Sequence, residues 1–140
     1  MIILDTNVLS ETMRPHPSET VLAWLALPSP ETVYVTAITQ AEILTGIECM
    51  PDAKRRRDFM KCAEAMFAED FAGRILPFDS VAAPRLAWWV SLRKSQGRRV
   101  REFDAQIAAI AWAHRATVAT RNIKDFAGCG IELINPWQAR

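Results

Sequence analysis

A parallel β-sheet with helices on both faces is the fold class this chain predicts, and three observations point to it. Short apolar or β-branched runs alternate along the 140 residues with longer segments of helical periodicity, the order of strand–helix–strand units. The first run, Ile2-Ile3-Leu4, is unbroken rather than alternating, which fits a strand buried on both faces at the centre of such a sheet. Hydrophobic residues make up 50% of the chain, and 140 residues suffice for one α/β domain, 1–140, with a substantial core and about four to five strands.

Each element has a local signal. After the first strand, residues 7–13 read as a helix that Pro15 and Pro17 break. Ser18 is a cap for a helix through Leu27, with Val21, Leu22, Trp24 and Leu25 as its apolar members. Thr32 to Thr36 is β-branched and aromatic, a second strand. Residues 39–50 form a helix, with Thr39 as cap and Glu42 three residues on, the spacing of a capping box. Pro51 interrupts, and 52–71 is a longer helix carrying Lys54-Arg55-Arg56-Arg57. Ile75 to Phe78 is a third strand, and 79–96 a helix that Gly97 terminates. Residues 102–115 form a helix of clean periodicity, Thr117 to Thr120 a fourth strand and 131–134 a short fifth.

Composition bounds the function. No apolar run approaches the roughly 18 residues of a membrane span, and no basic segment with an apolar stretch opens the chain. Cys49, Cys62 and Cys129 match no CxxC spacing, so reduced thiols in a cytoplasmic protein without a zinc site are expected. The net charge of +1 names no partner, but its distribution is uneven. One basic cluster is residues 54–57. The other is Arg93, Lys94, Arg98, Arg99 and Arg101, which leads directly into Asp104 and is the better candidate for phosphate contacts.

The acids fall at element ends. Asp5 closes the first strand at a strand-to-helix turn, where open α/β sheets place their sites; it is equally a favoured helix cap. Asp104 sits in a helical first turn on the face of Ile107, Ala108 and Ala111, a stripe that should pack on the sheet. A carboxylate heading a buried stripe is unfavourable unless cations or donors meet it, whereas one that merely favours its helix dipole would sit on the solvent face. Glu42 borders the apolar face of Ile43, Ile47 and Met50, and as a capping-box residue it needs no further role. Thr120, Asn122 and Asp125 follow the fourth strand as Asp5 follows the first, and Asp125 is also placed to cap a short helical turn.

In a parallel sheet these four positions can converge on one edge. Oxygen-only ligands suit a hard cation such as Mg²⁺ or Mn²⁺. Clustered carboxylates raise one another's pKa until a cation relieves them. Such sites serve in-line attack of water on a phosphodiester, with two ions about 4 Å apart in the common variant.

Asp5-Thr6-Asn7 after an apolar strand, Ala41-Glu42, Phe103-Asp104-Ala105-Gln106-Ile107-Ala108-Ala109 and Thr120-Arg121-Asn122-x-x-Asp125-Phe126 resemble a PIN domain, and more closely the VapC toxins of bacterial toxin–antitoxin pairs. Phe71 to Phe78 and Asn135-Pro136-Trp137 are similar to the FitB-like branch, so the resemblance spans positions 2 to 137. It implies a Mg²⁺- or Mn²⁺-dependent endoribonuclease held inactive by a cognate antitoxin, a homodimer that meets operator DNA only through that antitoxin. The family's acids carry over to Asp5, Glu42 and Asp104 as metal ligands. Some relatives have an acid where this chain has Asn122, and the nearest acid here is Asp125, so the fourth site residue is one of those two. Thr6, Asn7 and Thr120 are nearby hydroxyl and amide groups, and Arg98, Arg99, Arg101 and Arg121 are the candidate RNA contacts. A second reading makes the chain mainly the non-catalytic partner of a DNA-binding antitoxin.

Other chemistries fit less well. His16 lies among prolines and His114 at a helix end, which leaves no Ser–His–Asp triad. No Walker loop or GxGxxG is present. A phosphatase with an Asp nucleophile would want an acid where Asn7 stands. Trp88 and Trp89 are adjacent in one helix, so one belongs to the core and the other is a candidate dimer or antitoxin contact, unless both are ordinary packing.

Overall fold

The computed structural model describes residues 1–139. Five strands, β1 (Ile2–Leu4), β2 (Val33–Thr36), β3 (Ile75–Leu76), β4 (Thr117–Ala119) and β5 (Leu133–Ile134), form one wholly parallel sheet in the order β3-β2-β1-β4-β5. The helices are α1 (Thr6–Thr12), α2 (Glu19–Leu25), α3 (Ala37–Glu48), α4 (Ala53–Ala65), α5 (Ala83–Ser95), α6 (Glu102–Ala113) and the short α7 (Ile123–Phe126). The α/β class and a sheet of four to five strands between helices are as the sequence predicts.

The apolar run of β1 explains itself in the sheet. Side chains alternate across a strand. Ile3, with Tyr34 and Val118 beside it, enters a core layer with Trp89, Ile107 and Ile110 of α5 and α6. Ile2 and Leu4, with Val33, Val35 and Ala119, enter the opposite layer with Val8, Val21, Ile43 and Phe67. Both faces of β1 are covered, so every one of its side chains had to be apolar.

The chain runs outward from β1 to β2 and β3, then returns to place β4 on the other side. The β1–β4 boundary is therefore the switch point at which open α/β sheets form their crevice. Leu4 pairs with Ala119, so one residue further Asp5 stands beside Thr120.

Several boundaries shift for local reasons. The second strand is shorter by one residue because Pro30–Thr32 form a 3₁₀ turn. β3 stops at Leu76, since Pro77 has no N–H for the ladder. α5 begins at Ala83 rather than 79, because the Asp79 side chain accepts the N–H groups of Val81 and Ala82 and makes a turn first. The long helix after Pro51 ends its regular part at Ala65 and continues as a π-helical turn, Met66–Asp70. α3 starts two residues earlier than expected: Thr36, not Thr39, caps it, its hydroxyl accepting the Thr39 N–H at 3.1 Å. Glu42 is thus six residues past the cap, and the capping box does not exist.

Candidate functional site: an acidic cleft at the carboxyl edge

Asp5 is the most firmly held acid of the group. It is buried, and both carboxylate oxygens are engaged: Oδ1 accepts the Thr6 N–H at 2.8 Å, and Oδ2 accepts the Thr120 hydroxyl at 2.7 Å. Capping and site placement are here the same arrangement, because one oxygen serves α1 and the other reaches across the switch point. Its main-chain N–H continues the β1–β4 ladder to Ala119 O at 2.9 Å.

Thr120, fully buried, ties three segments together. Besides bonding Asp5, its hydroxyl accepts the Asn122 N–H at 3.0 Å and the Asn7 side-chain amide at 3.4 Å. Asn7 Oδ1 in turn accepts the Arg121 N–H at 3.3 Å. Glu42 is attached from the other side: the Thr6 hydroxyl donates to Glu42 Oε1 at 2.7 Å and is bonded to the Thr39 hydroxyl at 3.0 Å. Glu42 is thus drawn to the β1 end by a specific donor, which its expected capping role would not have done. Thr39, which the sequence offered only as a cap, belongs to this network; a buried Thr on the first turn after a strand was the available signal.

Asp104 lies in the first turn of α6 and is half-buried, while Ala105, Ile107, Ala108 and Ala111 of the same helix are buried as the stripe predicted. Burial, and after it the charge of Asp5, push its carboxyl up to about 6; Arg101 opposes this, and Asp125 and Glu42 add to it. Burial likewise raises Asp5, against the hydrogen bonds from Thr120 and Thr6, with Glu42 and Asp125 adding further repulsion. Asp104 thus feels the charges of Asp5, Asp125 and Glu42, and Asp5 those of Glu42 and Asp125, which places the four acids near one another at the carboxyl edge.

The last segment is held differently. Asn122 occupies the N-cap position of α7 without a side-chain capping bond, and Asp125 lies inside the first turn, so the alternative reading of Asp125 as a helix cap does not hold. Both are exposed, and neither side chain bonds another described residue. The charge of Asp125 is nonetheless felt at Asp5 and Asp104.

Of the expected RNA contacts, Arg98, Arg99, Arg101 and Arg121 are exposed; Arg121 also stacks over Trp137 at 5.0 Å. Arg93, which the sequence grouped with them, is not available to RNA. It is 3% exposed and stacks over Trp89, and its Nη2 donates to the carbonyls of Lys124, Asp125 and Ala127. Its position four residues after Trp89 and seven after Leu86 marks the buried face of α5, a signal that the basic run concealed. The two tryptophans separate cleanly: Trp89 is core, and Trp88 is 43% exposed, with Arg85 stacked between it and Trp112.

Among the described residues no group of three or more carboxylate, imidazole or thiolate side chains is placed to hold a metal ion. The donor set still fits a hard divalent cation. It is oxygen only, Asp104 accepts no protein hydrogen bond among the described residues, and Glu42 uses only Oε1. Mg²⁺ in particular keeps several waters and takes one or two carboxylates rather than a protein cage. Beside the cleft, Thr6 and Glu42 form one end of a groove of about 440 Å³ between α1, α3 and α4, lined further by Met13, Ile43, Gly46, Met50 and Phe59.

Comparison with known proteins agrees with this fold. The PIN-domain family model matches residues 2–128. The VapC ribonuclease Y4jK of Sinorhizobium fredii is 42% identical over 138 residues, covering 99% of both chains. Toxin FitB of Neisseria gonorrhoeae is 42% identical over 137 residues, covering 98% of this chain and 99% of its own. The crystal structure of FitAcB from Neisseria gonorrhoeae superposes with a TM-score of 0.93 at 41% identity, over 99% of this chain and 100% of that one. The structure of FitAB bound to a DNA fragment gives 0.92 at 41% identity, over 100% and 98%.

Proposed function

This chain belongs to the PIN-domain family, alongside the VapC and FitB toxins, and on that premise we propose that it is a divalent-metal-dependent endoribonuclease controlled by a cognate antitoxin. The observation that carries this is the convergence of Asp5, Glu42, Asp104 and Asp125 at the switch point, where Asp104 is pushed up to about 6 by burial and by Asp5. Asp5 and Asp104 are desolvated as members of a solvated acidic patch would not be.

Asp5, Asp104 and Glu42 would hold Mg²⁺ or Mn²⁺. When bound, such an ion activates water at neutral pH and neutralises charge on the phosphate under attack. The chain's own groups do the positioning. Thr6 and Thr120 fix the rotamer of Asp5, and Thr6 fixes Glu42. The exposed Arg98, Arg99, Arg101 and Arg121 provide the cationic rim that phosphates require. Asp125 faces the same cleft from α7 as the fourth acid, in preference to Asn122.

The antitoxin reading rests on the relatives, whose structures are complexes with FitA, one of them on DNA. The groove beginning at Thr6 and Glu42 has apolar walls and opens beside the acids, so an apolar segment of the antitoxin lying in it would cover the cleft. Exposed Trp88 on α5, stacked with Arg85, is the candidate surface for self-association into a dimer.

The test is cleavage of RNA by the purified, antitoxin-free protein, with fragment ends mapped. Cleavage in Mn²⁺ or Mg²⁺ that stops in chelator and in Asp104→Asn is the expected outcome. Intact RNA under all metal conditions, with operator binding retained by the antitoxin complex, would favour the purely regulatory role.

A further inference from the structure

We propose that Arg93 is a positioning residue for the cleft: its buried guanidinium, seated on Trp89, grips the carbonyl end of α7 and so sets where Asp125 stands. The inference rests on the reading of Asp125 as a site residue.

A guanidinium that is 3% exposed is unfavourable without compensation. The usual compensation, a carboxylate partner, is missing: among the described residues the one ion pair is Arg14–Glu11. Arg93 instead gives its Nη2 protons to main-chain oxygens, Lys124 O and Asp125 O at 3.1 Å and Ala127 O at 3.3 Å. Its Cζ lies 4.5 Å from the Trp89 ring centroid. The last carbonyls of a helix have no partner within it, and in a four-residue helix that is nearly all of them. α7 has no side-chain N-cap either; its other anchors are buried Phe126, whose carbonyl accepts the Cys129 N–H at 3.2 Å, and the Asn122 N–H on Thr120. The Arg93 clamp takes three further carbonyls at the far end of the turn.

The main chain of Arg93 works on the second acid-bearing element. Arg93 O accepts the Arg98 N–H at 2.9 Å and Lys94 O accepts the Gly97 N–H at 3.0 Å, with Gly97 at φ 67°. This is the paired closure of a Schellman turn, and only glycine takes that φ without strain. It turns the chain toward the 98–101 segment that leads into α6 and Asp104. One residue therefore joins the placement of Asp125 to the path toward Asp104, without touching substrate itself.

The test uses Arg93→Met, which keeps the stem but removes the donors, alone and combined with Asp125→Asn. Amide hydrogen exchange at residues 123–127 should accelerate about tenfold or more while β1 and β4 amides stay within about twofold. The RNA-cleavage kcat should fall about tenfold with KM nearly unchanged, yet less than about twofold further on the Asp125→Asn background, because the two acts are one. Arg93→Lys, whose ammonium can reach some of the carbonyls, should restore part of both readouts, and it carries the same test if Arg93→Met is too unstable to purify. Unchanged exchange at 123–127, or an equal fall in both backgrounds, overturns the proposal. Full cleavage by Asp125→Asn alone, with Arg93 intact, instead removes Asp125 from the site and the positioning role with it.

Discussion

Asp5 and Asp125 follow neighbouring strands, bear the same carboxylate and are held in opposite ways. Asp5 is 4% exposed, with both oxygens bonded, one to the helix it starts and one across the switch point. Asp125 is exposed, its side chain bonds no described residue, and the protein grips only the backbone behind it. The difference teaches that the cleft has two halves. The β1 half is fixed by side-chain hydrogen bonds to the acids themselves. The α7 half is fixed by its main chain, with its carboxylate free to take up whatever position a ligand requires.

The largest expected effect falls on the fixed half. Asp5→Asn keeps the shape and a partner for Thr120, but should lower RNA cleavage about 10³-fold or more, as for loss of a preorganised charged group. The melting temperature of the metal-free protein should fall only modestly, since the one acceptor lost is offset by removing a charge that burial disfavours. A matching loss of both activity and melting temperature would mean that Asp5 is mainly structural.

Next comes the α7 half. Asp125→Ala should reduce cleavage about 10²-fold, the lower range for a group that orients or transfers a proton, with stability and antitoxin binding intact because the side chain is exposed. Full activity in a folded Asp125→Ala variant would erase the two-halves comparison and leave Asn122 as the family position.

Thr120→Val attacks the link between the halves. It is close in shape but leaves Asp5 Oδ2 and the Asn122 N–H without their partner. Urea unfolding should show a loss of about 1–3 kcal/mol, the range for unsatisfied buried groups. A loss near zero would show that the hydroxyl is dispensable.

The smallest effect is on pH dependence. Asp104 has its folded-state carboxyl raised from 3.8 to about 6, so the folded state binds the proton more tightly than the unfolded one. Stability then falls as pH rises between those values, the reverse of a salt-bridged acid. In chelator, the melting temperature of the wild type relative to Asp104→Asn should climb as pH is lowered from 7 toward 4. Partial exposure of Asp104 keeps this shift small. A constant difference across that range would contradict the desolvated placement of Asp104.

The central strand, its terminal Asp5 and the acid at the head of α6 were legible because a doubly buried strand and a buried helical stripe leave patterns in the sequence that nothing else imitates. Glu42 was legible as a candidate site acid, but its alternative reading as a capping-box residue fails, because β2 ends in a threonine, Thr36, that caps α3 three residues before the expected cap. Trp88 and Trp89 could not be separated from sequence, since adjacent helical positions straddle the boundary between core and solvent until the helix is oriented. Arg93 was hidden for a different reason. A cation buried by main-chain carbonyls leaves no complementary acid to search for, and beside Lys94, Arg98, Arg99 and Arg101 it looked like one more surface charge. The Asn122/Asp125 choice was undecidable from sequence because a four-residue helix sets its own register by contacts made elsewhere, here from α5.

Isothermal titration of the antitoxin-free protein with Mn²⁺ tests the central claim most directly, because it asks whether the acids of both the β1 end and α6 form one metal site before any RNA is present. The account predicts a saturable binding event in the wild type that Asp5→Asn and Asp104→Asn each weaken strongly. Undiminished binding in both variants would contradict it, and with it the assignment of the switch-point acids as the catalytic centre.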